Sequence, residues 1–88
     1  MITIHKFGFG RMVSVVPMQA GAKLLTVQEQ NDSPVVWAMV NTDAPLVRRR
    51  LTVFGTGWEM PDLPGVYVGT WQDNSGYVWH LFDHGELP

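Results

Sequence analysis

The chain reads as short runs of alternating apolar and polar residues, broken at even spacing by glycine, proline and Asn/Asp clusters. The breakers are Gly8 and Gly10, Pro17, Gly21, Asn31-Asp32-Ser33-Pro34, Asp43-Ala44-Pro45, Gly55-Thr56-Gly57, Pro61 to Gly65, and Asn74-Ser75-Gly76. Glycine reaches positive φ, proline fixes φ and lacks an N–H, and Asn and Asp tolerate left-handed geometry, so each ends a regular element. The runs between them reach only about ten residues, too short for a packed helical domain. They are rich in Val, Thr, Trp, Tyr and Phe, which suit a pleated, half-buried surface.

Seven strands are predicted: Ile2–Phe9, Met12–Val16, Lys23–Gln30, Val35–Asn41, Leu46–Phe54, Val66–Gln72 and Tyr77–Phe82. In the third, alternation sets Leu25 and Val27 against Leu24, Thr26 and Gln28. In the sixth, Val66, Val68 and Thr70 oppose Tyr67, Gly69 and Trp71. The seventh sets Tyr77, Trp79 and Leu81 against Val78, His80 and Phe82. Such a strand, apolar on both faces, is central in a layered structure or meets a partner chain. Gln30 to Pro34 reads as a hairpin loop of about four residues. Gln72 to Tyr77 reads as a second, with Gly76 in a left-handed or bulge position. Turn signals every 8–12 residues or roughly so mark an all-β fold, a small antiparallel β-sandwich or open barrel of about six to seven short strands. A helix fits only at Pro17–Ala22 or Pro61–Gly65, about a turn at each.

Composition sharpens this picture. Eighty-eight residues hold a single domain, 1–88, and exclude a two-domain enzyme, a doubly wound nucleotide-binding fold or a TIM barrel. Apolar residues make up 45% and charged residues 16%, against the ~25% charge of an average chain. Such a chain folds, and it is expected to cover part of its surface in a homo-oligomer. Six Lys and Arg against eight Asp and Glu give a net charge of −2, too few cations for a general nucleic-acid-binding face. The absence of cysteine excludes disulfides and thiolate metal sites. No apolar run is long enough to span a membrane, and MITIHKFGFG has no secretory h-region, so a cytoplasmic protein without a membrane partner is expected.

Arg48-Arg49-Arg50 holds half of the cationic charge. On a strand, Arg48 and Arg50 share a face, their bases ~7 Å apart, and can fork onto one phosphate or carboxylate. The plainer role is to protect an edge strand from aggregation. Gly55, Thr56 and Gly57 offer amides for an anion nest or, more simply, a turn. Trp58 and Trp71 are the tryptophans expected to be exposed for stacking, and Trp37 and Trp79 are expected in the core. The candidate ligand-binding set is therefore Arg48, Arg50, Gly55, Thr56, Gly57, Trp58 and Trp71. No metal is expected, because His80 and His84 stand ~13 Å apart on a strand and cannot share an ion. No cofactor and no catalytic residue are assigned. Ser14, Ser33 and Ser75 lack a nucleophile elbow and a nearby base, and the carboxylates Asp73, Asp83 and Glu86 form no distinctive pair.

GAKLLTVQEQ (21–30), PVVWAMVN (34–41), FGTGWEMPDL (54–63), YVGTWQ (67–72) and VWHLFD (78–83) together resemble a family of short, uncharacterised β-rich proteins of tailed phages, prophages and bacteria. The shared features are Gly21-Ala22 before a strand ending at Gln28 or Gln30, Trp37, Arg48 to Arg50, Gly55 to Gly57, Gly69-Thr70, and His80 to Phe82. The resemblance implies a phage origin, action in the host cytoplasm and a compact β fold. It supplies no chemistry.

Two readings follow. One is a non-catalytic accessory protein that sequesters a small anionic, nucleotide-like host-defence signal, with Arg48 or Arg50 and Gly55–Gly57 on phosphate and Trp58 or Trp71 on the base. The other is an inhibitor that docks a host defence or transcription protein through an aromatic and arginine patch. The arginines are expected to border a self-association interface or a pocket beside it.

Overall fold

The alternating runs fold as seven strands and no helix in the computed structural model, which covers residues 1–88. They are β1 (Ile2–Gly8), β2 (Val13–Gln19), β3 (Lys23–Gln30), β4 (Ser33–Asn41), β5 (Leu46–Gly55), β6 (Val66–Gln72) and β7 (Val78–Glu86). All neighbouring strands are antiparallel, in a three-stranded sheet of order β1-β4-β3 and a four-stranded sheet of order β2-β5-β7-β6. The backbone spans 39 × 31 × 16 Å, the thin slab of two sheets packed face to face. Since β5 and β6 both run antiparallel to β7, they are parallel to each other, and residues 56–65 carry the chain back across the sheet.

Between the sheets lies a core cluster of 11 buried residues, including Met18, Val36, Ala38, Val40, Leu51, Val53 and Leu81. Each is the inward partner in a strand alternation. Val36, Ala38 and Val40 turn inward, which sends Trp37 to the outer face, where it is half-buried. The expectation of Trp37 in the core is thus corrected: inward positions of β4 are filled by small residues. Trp79 does pack against the core.

Bulges account for the other phase errors. A register shift at Leu25 brings Leu24 and Val27 to the same inward face, where simple alternation paired Leu25 with Val27. A shift at Val68 likewise separates Tyr67 from Gly69 and Trp71. The third bulge, at His84, lets β7 continue to Glu86 instead of ending at Phe82. Neither proposed helical turn forms. β2 runs through Pro17 to Gln19, and Ala22 N then donates to Gln19 O at 3.1 Å to close a tight turn around Gly21 (φ 76°). The first hairpin loop is two residues, not four. Asn31 (φ 52°) and Asp32 (φ 64°) both adopt the left-handed conformation that a type I′ turn requires.

The two sheets close along one side only. There β3 faces β6: a Cβ on Gly69 would stand 2.8 Å from Val27 Cγ1, and Trp71 Nε1 donates to Glu29 Oε1 at 3.0 Å. Asn74 also donates to Asp32, linking the two hairpin turns. At the opposite end of the strands the sheets are tied by Arg49. Its guanidinium, on the inner face of β5, forks onto Asp83 at 2.6–3.2 Å and donates to Ala22 O at 2.9 Å. The hydrogen bonds to Asp83 raise its pKa further above the ordinary arginine value, so the charge is permanent.

Candidate docking face

Along β5, Leu51 and Val53 face the core, and Arg48, Arg50, Thr52 and Phe54 therefore face away from it. The register places Val13 and Val15 of β2 on one flank of this row, opposite Thr52 and Arg50. On the other flank β7 sets Phe82 beside Thr52 and His80 beside Phe54. Tyr67 and Thr70 of β6 continue the rows beyond Phe82 and His80. The rings interlock edge-to-face, Phe54 with Phe82 at 5.5 Å and Phe82 with Tyr67 at 5.6 Å between centroids. Thr52 is buried beneath these neighbours, its hydroxyl without a partner.

A hydrogen-bond chain fixes the polar end of this face. The Thr56 hydroxyl donates to Val78 O at 3.2 Å, so toward His80 Nε2, 2.8 Å away, it must accept. For a neutral His80 this geometry assigns the proton to Nε2, and Nδ1 then accepts from the Thr70 hydroxyl at 2.9 Å. Thr70 in turn accepts from Tyr67 at 2.7 Å, which holds the exposed tyrosine ring in place. In that assignment the bonds run consistently from Tyr67 to Thr56, and the chain holds the Tyr67 and His80 rings in place.

At its strand positions the side-chain charge of this face is of one sign. None of the eight carboxylates occupies an outward position of its four strands: Asp83 and Glu86 lie on the Arg49 side, and the rest lie on β3 or in loops. Arg48 donates to Pro88 O at 3.1 Å, and Arg50 has no ion-pair partner. Arg48 and Arg50 thus border the aromatic surface, while Lys6 and Lys23 belong to the other sheet and Arg11 to the connection between β1 and β2.

The candidate residues of the sequence do not meet in one place. Arg50 lies five residues and Arg48 seven residues before Gly55 on one strand, ~17 and ~23 Å away. Gly55, Thr56, Gly57 and Trp58 instead form a turn in which Trp58 N donates to Gly55 O at 3.2 Å and Gly57 takes φ 87°. Thr56 N is bonded to Val78 O, so the three successive amides are not all available to an anion. Trp58, 43% exposed, lies over Gly55, where a Cβ would approach its ring to 2.7 Å, and meets Trp79 edge-on at 5.7 Å. Trp71, expected to be exposed, is buried at 7% because the bulge at Val68 turns it into the closed side.

Two features escaped the sequence reading. Arg11 lies over the Trp79 ring at 5.7 Å from its centroid, reached by the connection between β1 and β2. Asp73 gathers Trp79 Nε1 at 2.9 Å, Ser75 N at 2.9 Å and Tyr77 N at 3.0 Å, and these bonds, with Arg11 nearby, hold its pKa below the ordinary aspartate value. An Asp opening an Asx-type turn before glycine is the sequence signal for the second. No three His, Asp or Glu side chains stand close enough to share a metal ion.

Fold and face together define a small antiparallel two-sheet β protein with an aromatic, cationic outer surface. The chain matches the family described as a domain of unknown function (DUF7352) over residues 1–87, and it belongs to that family. Comparison with curated proteins and with solved structures gives no match.

Proposed function

We propose that this chain is a non-catalytic docking protein that engages an acidic macromolecular partner with the outer face of its four-stranded sheet. The observation that carries this is a set of outward strand positions with no carboxylate, in which Phe82 and Tyr67 extend across the sheet from Thr52, and Arg50 and Arg48 follow along β5. Interfaces draw their energy from such anchors, and a single-sign face selects a partner of the other sign. The resemblance to short phage proteins supports a phage accessory role in the host cytoplasm, with a host defence or transcription protein as the target.

Sequestration of a nucleotide-like ligand is the second reading, favoured by Arg50 lying one diagonal step from Phe82. Flatness counts against it. The surface grooves are open, and neither Arg48 nor Arg50 lines any of them. A small ligand on a flat face would leave much of itself in water, whereas pockets enclose ~70–90% of theirs.

The test immobilises the chain and compares host proteins retained by the native form with those retained by Arg48→Glu with Arg50→Glu. Both residues are exposed, so the double variant should melt within a few degrees of the native chain. Acidic proteins retained only by the native chain support docking. Equal retention by both sinks it. A nucleotide panel that shifts native melting by ten degrees or so, and not that of the variant, would favour sequestration.

A further inference from the structure

The four free strand edges of this sandwich are not equivalent. β3 and β6 each carry a bulge and face one another across the closed side. On the open side, Met12 O accepts from Val53 N and Ala20 N donates to Pro45 O in an unbroken register. Even-numbered residues of β2 therefore bond to β5, and odd-numbered ones turn their backbone groups to the free edge. Pro17 occupies one of those outward positions and has no N–H to offer, a common protection of an edge.

β1 has no such device. Thr42 N donates to Met1 O and Phe9 N to Pro34 O, with no register shift between. Odd-numbered residues thus bond to β4, and Ile2, Ile4, Lys6 and Gly8 direct their N–H and C=O groups outward. The strand contains no proline and no bulge, and its one charged side chain, Lys6, is drawn across the sheet to Gln30 Oε1 at 2.5 Å. Ile2 and Ile4 are 64% and 56% exposed, and Met39, paired with Ile4, is 40% exposed.

We propose that β1 pairs with β1 of a second copy, antiparallel about a two-fold axis at Ile4, so that two three-stranded sheets become one of six strands. Charge and hydrogen bonding select this occupant and register. Parallel pairing in register would set Lys6 against the partner's Lys6, which like charges disfavour. The axis at Ile4 sets Ile4 against the partner's Ile4 and Ile2 against the partner's Lys6, keeping the two ammonium groups ~13 Å apart along the strands. All of these residues have outward backbone groups, so each facing pair exchanges two hydrogen bonds. A stable dimer takes ~800 Å² from each partner, about a seventh of the 5406 Å² surface here, and the exposed Ile2, Ile4 and Met39 supply the apolar part. The contact is separate from the docking face, and neither reading depends on the other.

Light scattering on the native chain should give twice 9.9 kDa, falling toward 9.9 kDa on dilution. Ile4→Pro removes an outward N–H and no bond to β4, so it should give a monomer with the native far-ultraviolet dichroism. If that variant fails to fold, Ile4→Lys, which sets like charges across the axis, makes the same prediction. Since the chain has no cysteine, Ile4→Cys should cross-link on oxidation with copper phenanthroline, and Leu63→Cys, 85% exposed on the β5–β6 connection, should not. A native monomer at every concentration, or a dimer that survives Ile4→Pro and Ile4→Lys, overturns the proposal.

Discussion

The two sides of the sandwich are built by different means. On the closed side, β3 and β6 approach until only glycine fits at position 69, and Trp71 fills the gap with its indole N–H on Glu29. On the open side, β1 and β2 end in exposed backbone, and only Pro17 limits what can pair there. The difference teaches where stability and where interaction reside. Side chains that seal the closed side cannot be lost without exposing the core, whereas those on the open side and outer faces can change with little effect on folding.

Trp71→Ala tests the first half and should have the largest effect. Trp71 is 7% exposed, lies edge-on to Phe9 at 5.6 Å and belongs to the core cluster. Truncation should cost ~3–5 kcal/mol, most of the stability of a domain this small, and leave Glu29 without its donor. Urea unfolding measures it. A midpoint near that of the native chain would mean that the closed side contributes little.

Trp37→Ala tests the other half. The same side chain, moved to the outer face of β4, is only half-buried, so its loss should cost about 1 kcal/mol. A loss as large as that for Trp71 would remove the distinction between seal and surface. The paired result also marks what the sequence could and could not convey. Strand number, antiparallel layering and the split of Arg48 and Arg50 from Arg49 follow from breaker spacing and period-two alternation, and they hold in the structure. Which tryptophan is buried does not follow. Trp37 and Trp71 both sit in apolar runs, and their faces are decided by the phase of β4 and by a bulge at Val68 that alternation cannot foresee. The candidate site was legible in half. Arg48 and Arg50 were visible as a cluster, but their aromatic neighbours Phe82 and Tyr67 come from β7 and β6 through strand order, which local pattern does not encode.

The smallest effect is expected at Asp73, which anchors the β6–β7 turn at the top of the closed side and should show as a pH dependence. Its carboxylate is stabilised first by Trp79 Nε1–H, then by the amides of Tyr77 and Ser75 and the charge of Arg11, so the folded pKa lies below the ordinary value of ~3.9. A pKa lowered by folding means that the unfolded chain binds the proton more readily. The stabilisation is therefore complete above pH ~4 and disappears as pH falls from there through the lower folded pKa. Asp73→Asn cannot take up this proton, so it should be less stable than the native chain at neutral pH and converge toward it in acid. Thermal melts of both forms from neutral pH downward measure the gap. A gap that stays constant through the acid range would show that the carboxylate charge does not hold this turn, and that the closed side depends on packing alone.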